Sequence, residues 1–372
     1  MKKLYTDIAI VITFAALLAT LGVAIAAFVK AHEKTSTNAA APAPVGTSDP
    51  LVPAGLTKMY AIGGYDGNYY MFFVESYDPL AQIWTEVASM TTARANHAVG
   101  VLTGTDGEEY LYAFGGYNRS QGHLQSVEKY DPSNGTWADV ASMPTKRQEL
   151  EIGVLTDNAT KKRYLYGVGG SNSDNTSFDT MMRYDPSNDA WTTAVASMHT
   201  ARKRLGVGAV THSNDRKQYL YAVGGYNNTD SQLQSVERYD PSNDTWTEVS
   251  PMGTKREGLA VGVLAGSDGK QYLYAAGGKD GSGNLLDTVE RYDPSNDEWE
   301  EVASMQTNRK DFAAGVVTEA DGKQYLYAAG GLGGAGTALQ NVERYDPLTN
   351  IWTDVRPMSR ELRGLARLGV GR

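Results

Sequence analysis

The sequence writes one pattern six times, and this repetition constrains the fold more than any other feature. Paired glycines stand at Gly63-Gly64, Gly115-Gly116, Gly169-Gly170, Gly224-Gly225, Gly277-Gly278 and Gly330-Gly331, at steps of 52, 54, 55, 53 and 53 residues. The tryptophans keep the same beat. Trp84, Trp137, Trp191, Trp246, Trp299 and Trp352 are all the tryptophan in the chain, and each follows the second glycine of a pair by 20 or 21 residues. A unit of this size cannot cover its own apolar face, so neighbouring copies must bury one another, and the 372 residues are expected to form one array with an ample core.

Each copy divides into four short strands. In the fifth, 258–264 (GLAVGVL) is small and apolar, 271–276 (QYLYAA) and 288–292 (TVERY) alternate, and 299–303 ends the unit. Glycine, alanine and valine in the first strand suit a position beside a crowded axis. Asp106-Gly107, Asp268-Gly269 and Asp321-Gly322 read as hairpin turns between first and second strands. The double glycine ends the second strand, where a missing Cβ permits positive φ and close backbone approach. In Tyr-Asp-Pro, proline presets φ for a turn that the aspartate side chain can cap. The tryptophan then offers about 150–250 Å² for burial, placed between neighbouring units. Glu86, Asp139, Glu248, Glu301 and Asp354 lie on the outermost strands, where charge discourages edge pairing.

A period near fifty with Gly-Gly, Tyr-Asp-Pro and tryptophan in fixed order resembles the kelch repeat, over residues 56–372. The first copy begins at its second strand, at Lys58, and the last breaks off after 364–370 (GLARLGV), which matches the first strand of the fifth copy. The fold expected is therefore all-β, a six-bladed propeller of four-stranded blades in which the C-terminal strand completes the N-terminal blade.

Before the repeats come a short tail (1–7), an uncharged apolar stretch (8–29) and a Pro/Ala-rich linker (30–55). As a helix, the 22 residues of 8–29 would measure roughly 33 Å against a hydrocarbon core of about 30 Å. It reads as an uncleaved single-pass signal anchor holding the propeller outside the cytoplasm. The alternative is a cleaved signal peptide ending at Ala24-Ile25-Ala26, which would give a secreted or periplasmic protein. Lys2 and Lys3 on one side balance Lys30 and Lys34 on the other, so the positive-inside count hardly decides the orientation.

The net charge of −9, with basic residues scattered, argues against nucleic acid as a partner. No cysteine is present, so there is no disulfide or thiolate chemistry, and the copper-radical oxidases among kelch propellers, which depend on a cysteine-tyrosine cross-link, are excluded. Gly331-Leu332-Gly333-Gly334-Ala335-Gly336 fits G-x-G-x-x-G but precedes a strand, and no cofactor is implied. His32, His97, His123, His199 and His212 show no metal spacing and read as exposed or hydrogen-bonded loop residues.

One basic position recurs. Arg94, Arg147, Arg202, Arg256 and Arg309 each follow the last methionine of a unit by four residues; the sixth copy has Leu362 there and Arg363 next. Antiparallel strands send these arginines and the loops after the double glycines to one face, so a ring of guanidinium groups at the channel mouth is expected. In BTB-type kelch adaptors, which this domain resembles, arginines at this position and tyrosines just after the double glycine grip acidic peptides. The matching tyrosines are Tyr65, Tyr117 and Tyr226. The chain as read carries no BTB segment, so the resemblance does not extend to a ubiquitin-adaptor role. Tyr69, Tyr70, Met71, Phe72 and Phe73 in the first copy, and Met182 where most copies have glutamate, are further contact positions, with a longer third strand as the competing reading for Phe72 and Phe73.

These features point to a monomeric, membrane-tethered, non-catalytic recognition propeller whose ligand is a protein, an acidic peptide or an anionic glycan. Two alternatives stand beside it. Kelch propellers that isomerise sialic acids would use arginine with an acid such as Glu149, Glu257 or Asp311, and a purely adhesive scaffold would use no site at all.

Overall fold

The computed structural model describes residues 58–104, 106–157, 160–365 and 369–371. The anchor at 8–29 and the linker at 30–55 lie outside the described residues; among the described residues no helix is long and apolar enough to cross a membrane. What is described is an all-β propeller of six four-stranded antiparallel sheets.

The fifth blade shows the plan. Its inner strand Ala260–Ala265 pairs with Gln271–Ala276, this with Val289–Asp293, and this with the outer strand Glu298–Val302. Burial follows from the sequence alternation: in Val-Glu-Arg-Tyr-Asp the valine, glutamate and tyrosine are buried while arginine and aspartate are partly exposed. The aspartate caps its turn as expected, with Asp293 Oδ1 accepting from the Ser295 backbone N–H at 2.8 Å and from its hydroxyl at 2.6 Å. Two small ribbons extend the loops of the second and fourth blades, Tyr117–Asn118 with Gly122–His123 and Tyr226–Asn227 with Ser231–Gln232.

The core lies in the seams between blades. A Cβ on Gly100, in the inner strand of blade 2, would come 2.6 Å from Leu165 Cδ2, and one on Gly153 in blade 3 would come 2.2 Å from Leu220 Cδ1. These glycines are holes for a leucine of the next blade's second strand, a more specific reason for their smallness than crowding at the axis. Each tryptophan stacks beside the tyrosine of its own Tyr-Asp-Pro, as Tyr292 and Trp299 do at 5.0 Å. Its indole N–H then crosses the seam. Trp137 donates to Ala88 O at 2.8 Å, Trp191 to Ala141 O at 2.8 Å and Trp299 to Ser250 O at 2.9 Å. Burial thus places the ring between blades, and the polar edge fixes its orientation.

The first blade is shared between the chain ends. The strand Gly369–Gly371 pairs with Lys58–Ile62 in the register Lys58↔Gly371, Met59↔Val370 and Tyr60↔Gly369, and Val74–Asp78 and Ile83–Val87 complete the sheet. Trp84 donates to Arg356 O at 3.0 Å, so the closing seam repeats the bond found at the others. Deleting 364–372 removes the inner strand of blade 1 and leaves backbone donors and acceptors of Lys58–Ile62 unpaired. Such a truncation is expected to destabilise the ring by several kcal/mol, read as a lower Tm in thermal denaturation; an unchanged Tm would refute the shared blade.

Candidate functional site

The recurring arginine turns inward. Arg94, in the link from blade 1 to blade 2, donates from Nη1 to Gly115 O at 2.8 Å and Ser126 O at 3.1 Å, and from Nη2 to Glu128 Oε1 at 2.6 Å. Arg202, Arg256 and Arg309 make the same bonds to Gly224 O, Gly277 O and Gly330 O, and pair with Glu237, Glu290 and Glu343 at 2.7, 2.9 and 2.6 Å. The glutamate also holds the link that carries the arginine: Glu128 accepts from the backbone N–H of Thr91 at 2.6 Å and of Thr92 at 3.1 Å. Burial lowers the pKa of these guanidinium groups, and the facing carboxylate opposes that shift.

This geometry corrects the expected ring of guanidinium groups. Arg94, Arg202, Arg256 and Arg309 are 0 % exposed and Arg147 is 3 % exposed, so none of the five meets a ligand at the mouth. The physical reason is the double glycine. Gly115 has φ 59° and Gly116 has φ 91°, which bends the chain so that the first carbonyl faces back into the blade, where a cation can reach it. A Cβ on Gly115 would stand 2.4 Å from Arg147 O, so the close approach also excludes any side chain there.

Two blades break the pairing. In blade 3, Met182 replaces the glutamate and is fully buried, so it is a packing residue and not the contact position expected. Arg147 there turns to Thr145 Oγ1, Gly169 O, Thr180 O and Thr180 Oγ1, and burial, only partly offset by the charge of Asp179, lowers its pKa to about 10. At the closing seam the arginine is missing instead. Leu362 fills its place, and Glu75, 1 % exposed, accepts the Ser359 backbone N–H at 3.2 and 3.3 Å with burial raising its pKa.

With the arginines pinned, the next two residues of each link form the mouth. The second of them are Asn96, Glu149, Arg204, Gly258, Asp311 and Gly364, all with φ between 50° and 62°. Their backbones bond in a closed circle at 2.8–2.9 Å: Glu149 N to Asn96 O, Arg204 N to Glu149 O, Gly258 N to Arg204 O, Asp311 N to Gly258 O, Gly364 N to Asp311 O and Asn96 N to Gly364 O. The collar narrows the channel to a cavity of about 70 Å³, room for roughly two waters at about 30 Å³ each. Glu149 and Arg204 pair at 2.7 Å; burial opposes the Arg204 charge, but Asp311, Glu149 and Glu257 outweigh it and raise its pKa. Glu257 pairs with Lys279 at 2.7 Å and Asp311 with Lys310 at 3.3 Å, so each acid considered for sugar isomerisation is engaged by a cation.

Outside the collar the first residue of each link bridges the residue after the double glycine, as in Ala95↔Tyr117, Lys203↔Tyr226, Lys310↔Leu332 and Tyr65↔Arg363. Tyr65, Tyr117 and Tyr226 therefore do reach the mouth, each partly exposed. Tyr70 joins the first two, with ring centroids 4.9 Å from Tyr65 and 5.4 Å from Tyr117. Arg363 is the one candidate arginine that is displayed: its guanidinium stands 5.3 Å from the Tyr65 ring centroid. Tyr65, Tyr70, Arg204, Lys310, Leu332 and Arg363 line an open cavity of about 310 Å³.

Sequence reasoning missed Lys203, Arg204, Lys279 and Lys310 and misplaced other residues. Phe73 is buried and Phe72 is 55 % exposed, and both precede the strand Val74–Asp78 instead of lengthening it. His97 is 3 % exposed with neither ring nitrogen hydrogen-bonded, and burial holds its pKa well below the usual value. It sits where the other links carry Leu150, Leu205, Leu259, Phe312 and Leu365.

Comparison with known proteins fits this geometry. The KLHDC2/KLHL20/DRC7 Kelch-repeats domain matches residues 156–368, and the Kelch motif matches 47–91 and 106–144. The chain belongs to the Kelch-repeats family. Its kelch propeller is 27 % identical to mouse Kelch-like protein 35 over 248 residues, covering 67 % of this chain and 38 % of that protein. It is 29 % identical to human Kelch-like protein 23 over 253 residues (67 % and 40 %) and 29 % identical to rat Kelch-like protein 36 over 285 residues (73 % and 41 %). The alignments thus span about two-fifths of the length of these relatives.

The buried arginine–glutamate pairs lead to two expectations. Arg256→Met strands Glu290 as an unpaired buried carboxylate and is expected to cost about 3–5 kcal/mol in chemical denaturation. Arg147→Met, with no carboxylate to strand, should cost clearly less; equal losses would show that the carboxylate pairing is not what makes the arginine matter. The second concerns pH. Glu75 has a raised pKa in the fold, so the native state holds that proton more tightly than the unfolded chain does. Its contribution is favourable below the ordinary glutamate pKa and is lost as pH rises from that value through the raised one. Glu75→Gln should therefore raise Tm at pH 7 and change it little near pH 4, and a gain independent of pH would reject the assignment.

Proposed function

We propose that this kelch propeller is a non-catalytic recognition domain that grips an acidic peptide segment of a protein partner at the channel mouth, and that residues 8–29 hold it at a membrane outside the cytoplasm. The observation that carries the reading is Arg363: a guanidinium without an ion pair among the described residues, set against Tyr65 at the edge of the 310 Å³ cavity with Lys310 beside it. The cavity suits a side chain or a short turn of peptide. The tyrosines offer flat apolar area with polar edges, and Arg119 and Arg363 lie near Tyr70. Lys310 and Arg204 in this cavity are paired with Asp311 and Glu149, so it is the guanidinium of Arg363 that would raise the local concentration of anions in the concave mouth although the whole chain carries −9. Kelch relatives support a protein as partner. The membrane part rests on the length and the uncharged composition of 8–29.

Binding of fluorescent Glu/Asp-rich peptides to the detergent-solubilised chain, followed by anisotropy, tests the site. Arg363→Ala with Lys310→Ala should weaken binding at least tenfold at unchanged Tm, with salt weakening the wild type in the same direction. Arg202→Ala with Arg256→Ala should instead lower Tm. If no acidic peptide binds while a sialylated oligosaccharide does, the ligand is an anionic glycan; if neither binds, or the mouth variant binds like the wild type, the reading fails.

A further inference from the structure

Among the described residues, every large hydrophobic side chain exposed to solvent lies in blade 1 or blade 6, which are neighbours across the closing seam: Tyr69, Phe72, Leu80, Ile83, Leu348 and Ile351. Tyr69 and Phe72 belong to the aromatic loop of blade 1. The other four sit at two matching positions of the turn between third and outer strands. In blades 2 to 5 the first of these positions is Ser133, Ser187, Ser242 or Ser295, and the second is Thr136, Ala190, Thr245 or Glu298. Blades 1 and 6 carry Leu80 and Leu348 at the first and Ile83 and Ile351 at the second, 48 to 65 % exposed. Nothing in the fold calls for the change, because four blades form the same turn with mostly polar residues.

The two halves lie along one stretch of rim. The outer strand Ile351–Val355 leads to Arg356, whose carbonyl accepts the indole N–H of Trp84, the residue after Ile83. Five residues of extended chain span about 17 Å, so leucine-isoleucine pairs mark both ends of this strand. The described chain begins at the same place. Residues 1–57 join the propeller at Lys58, and because Met59 pairs with Tyr77, Lys58 lies beside Asp78, two residues from Leu80.

We propose that this rim is a membrane-facing edge whose four aliphatic side chains enter the interface of a lipid bilayer; the proposal rests on the reading that 8–29 anchors the chain. The tether makes a small patch sufficient. The 26 residues read from the sequence as a linker, 30–55, would tie blade 1 to an anchor at 8–29 and so keep it near the bilayer. Binding becomes intramolecular, at an effective concentration of about millimolar, so weak partitioning orients the propeller. A second copy of the chain fits less well. Four half-exposed side chains offer a few hundred Å², whereas a stable dimer buries about 800 Å² on each partner.

The absence of cysteine allows a direct test on the full chain in phosphatidylcholine vesicles. Single substitutions Ile83→Cys, Leu348→Cys and, on the far side of the ring, Ser242→Cys carry an environment-sensitive fluorophore. Labels at 83 and 348 should be blue-shifted and quenched at least twofold more by lipid-attached quenchers than the label at 242. In the chain labelled at 83, replacing Leu80 and Leu348 by Ser and Ile351 by Thr, residues that other blades carry, should abolish the difference from position 242 at unchanged Tm. Flotation of the vesicles separates the two readings. A chain that floats with all three labels equally exposed to water overturns the rim and leaves the anchor; a chain that does not float overturns both. Disulfide cross-linking between copies through position 83, in place of lipid quenching, assigns the patch to a dimer and overturns the proposal.

Discussion

The propeller depends on a carbonyl that points the wrong way. In an ordinary strand end the carbonyl of the first glycine would face solvent or a neighbouring strand. Here the left-handed conformation of the pair turns it inward, where only a cation or a donor can satisfy it. The arginine of the link supplies that donor, and the glutamate of the third strand neutralises the arginine and caps the link's own N–H groups. In four of the six blades glycine, arginine and glutamate, spread over 35 or 36 residues, are therefore one unit. A buried ion pair contributes little net stability on its own. What it gives is position, since a link held at both ends presents the following two residues at fixed places around the channel.

Pinning explains why the collar can be regular while its side chains are not. The closed circle of backbone bonds asks only for positive φ at each member, which asparagine, glycine and aspartate adopt readily and which Glu149 and Arg204 adopt because neighbouring links hold them. Side-chain identity is then free, and the six positions differ as neighbouring core positions do not. The sixth copy uses the freedom furthest. By placing Leu362 at the pin and Arg363 one residue later, it moves a guanidinium from the interior of a blade to the mouth.

Most of the architecture was legible because it is periodic. Six glycine pairs gave the blade count, Lys58 at the start of a second strand and the broken copy at the end gave the closure, and the spacing of tryptophan gave its place in the seam. The direction of the arginines was not legible from spacing, which places a residue in a loop without saying where its side chain goes. A signal was present, however. Glu128, Glu237, Glu290 and Glu343 occupy a strand position whose neighbours on the same face are buried, 34 or 35 residues after the arginines they pair with. A charge recurring at a buried position requires a partner of opposite sign. Met182 and Leu362, the two departures, then identify the partner, since each removes one half of a pair whose other half persists.

The same logic separates structural from functional variation. Where Met182 replaces glutamate, Arg147 finds carbonyls and hydroxyls nearby, and where Leu362 replaces arginine, Glu75 keeps the donors of Ser359 and the nearby charge of Arg360, so each change is absorbed inside the blade. Changes that nothing inside the blade answers are of another kind. Arg363, Tyr65 and Tyr70 gather on one side of the mouth, and Leu80, Ile83, Leu348 and Ile351 gather on the rim of the adjoining seam. In a ring of near-identical repeats, packing acts alike on every blade and cannot single out one sector. The turns are mostly polar in four blades and aliphatic in two neighbours, and those two adjoin Lys58, where the described chain begins.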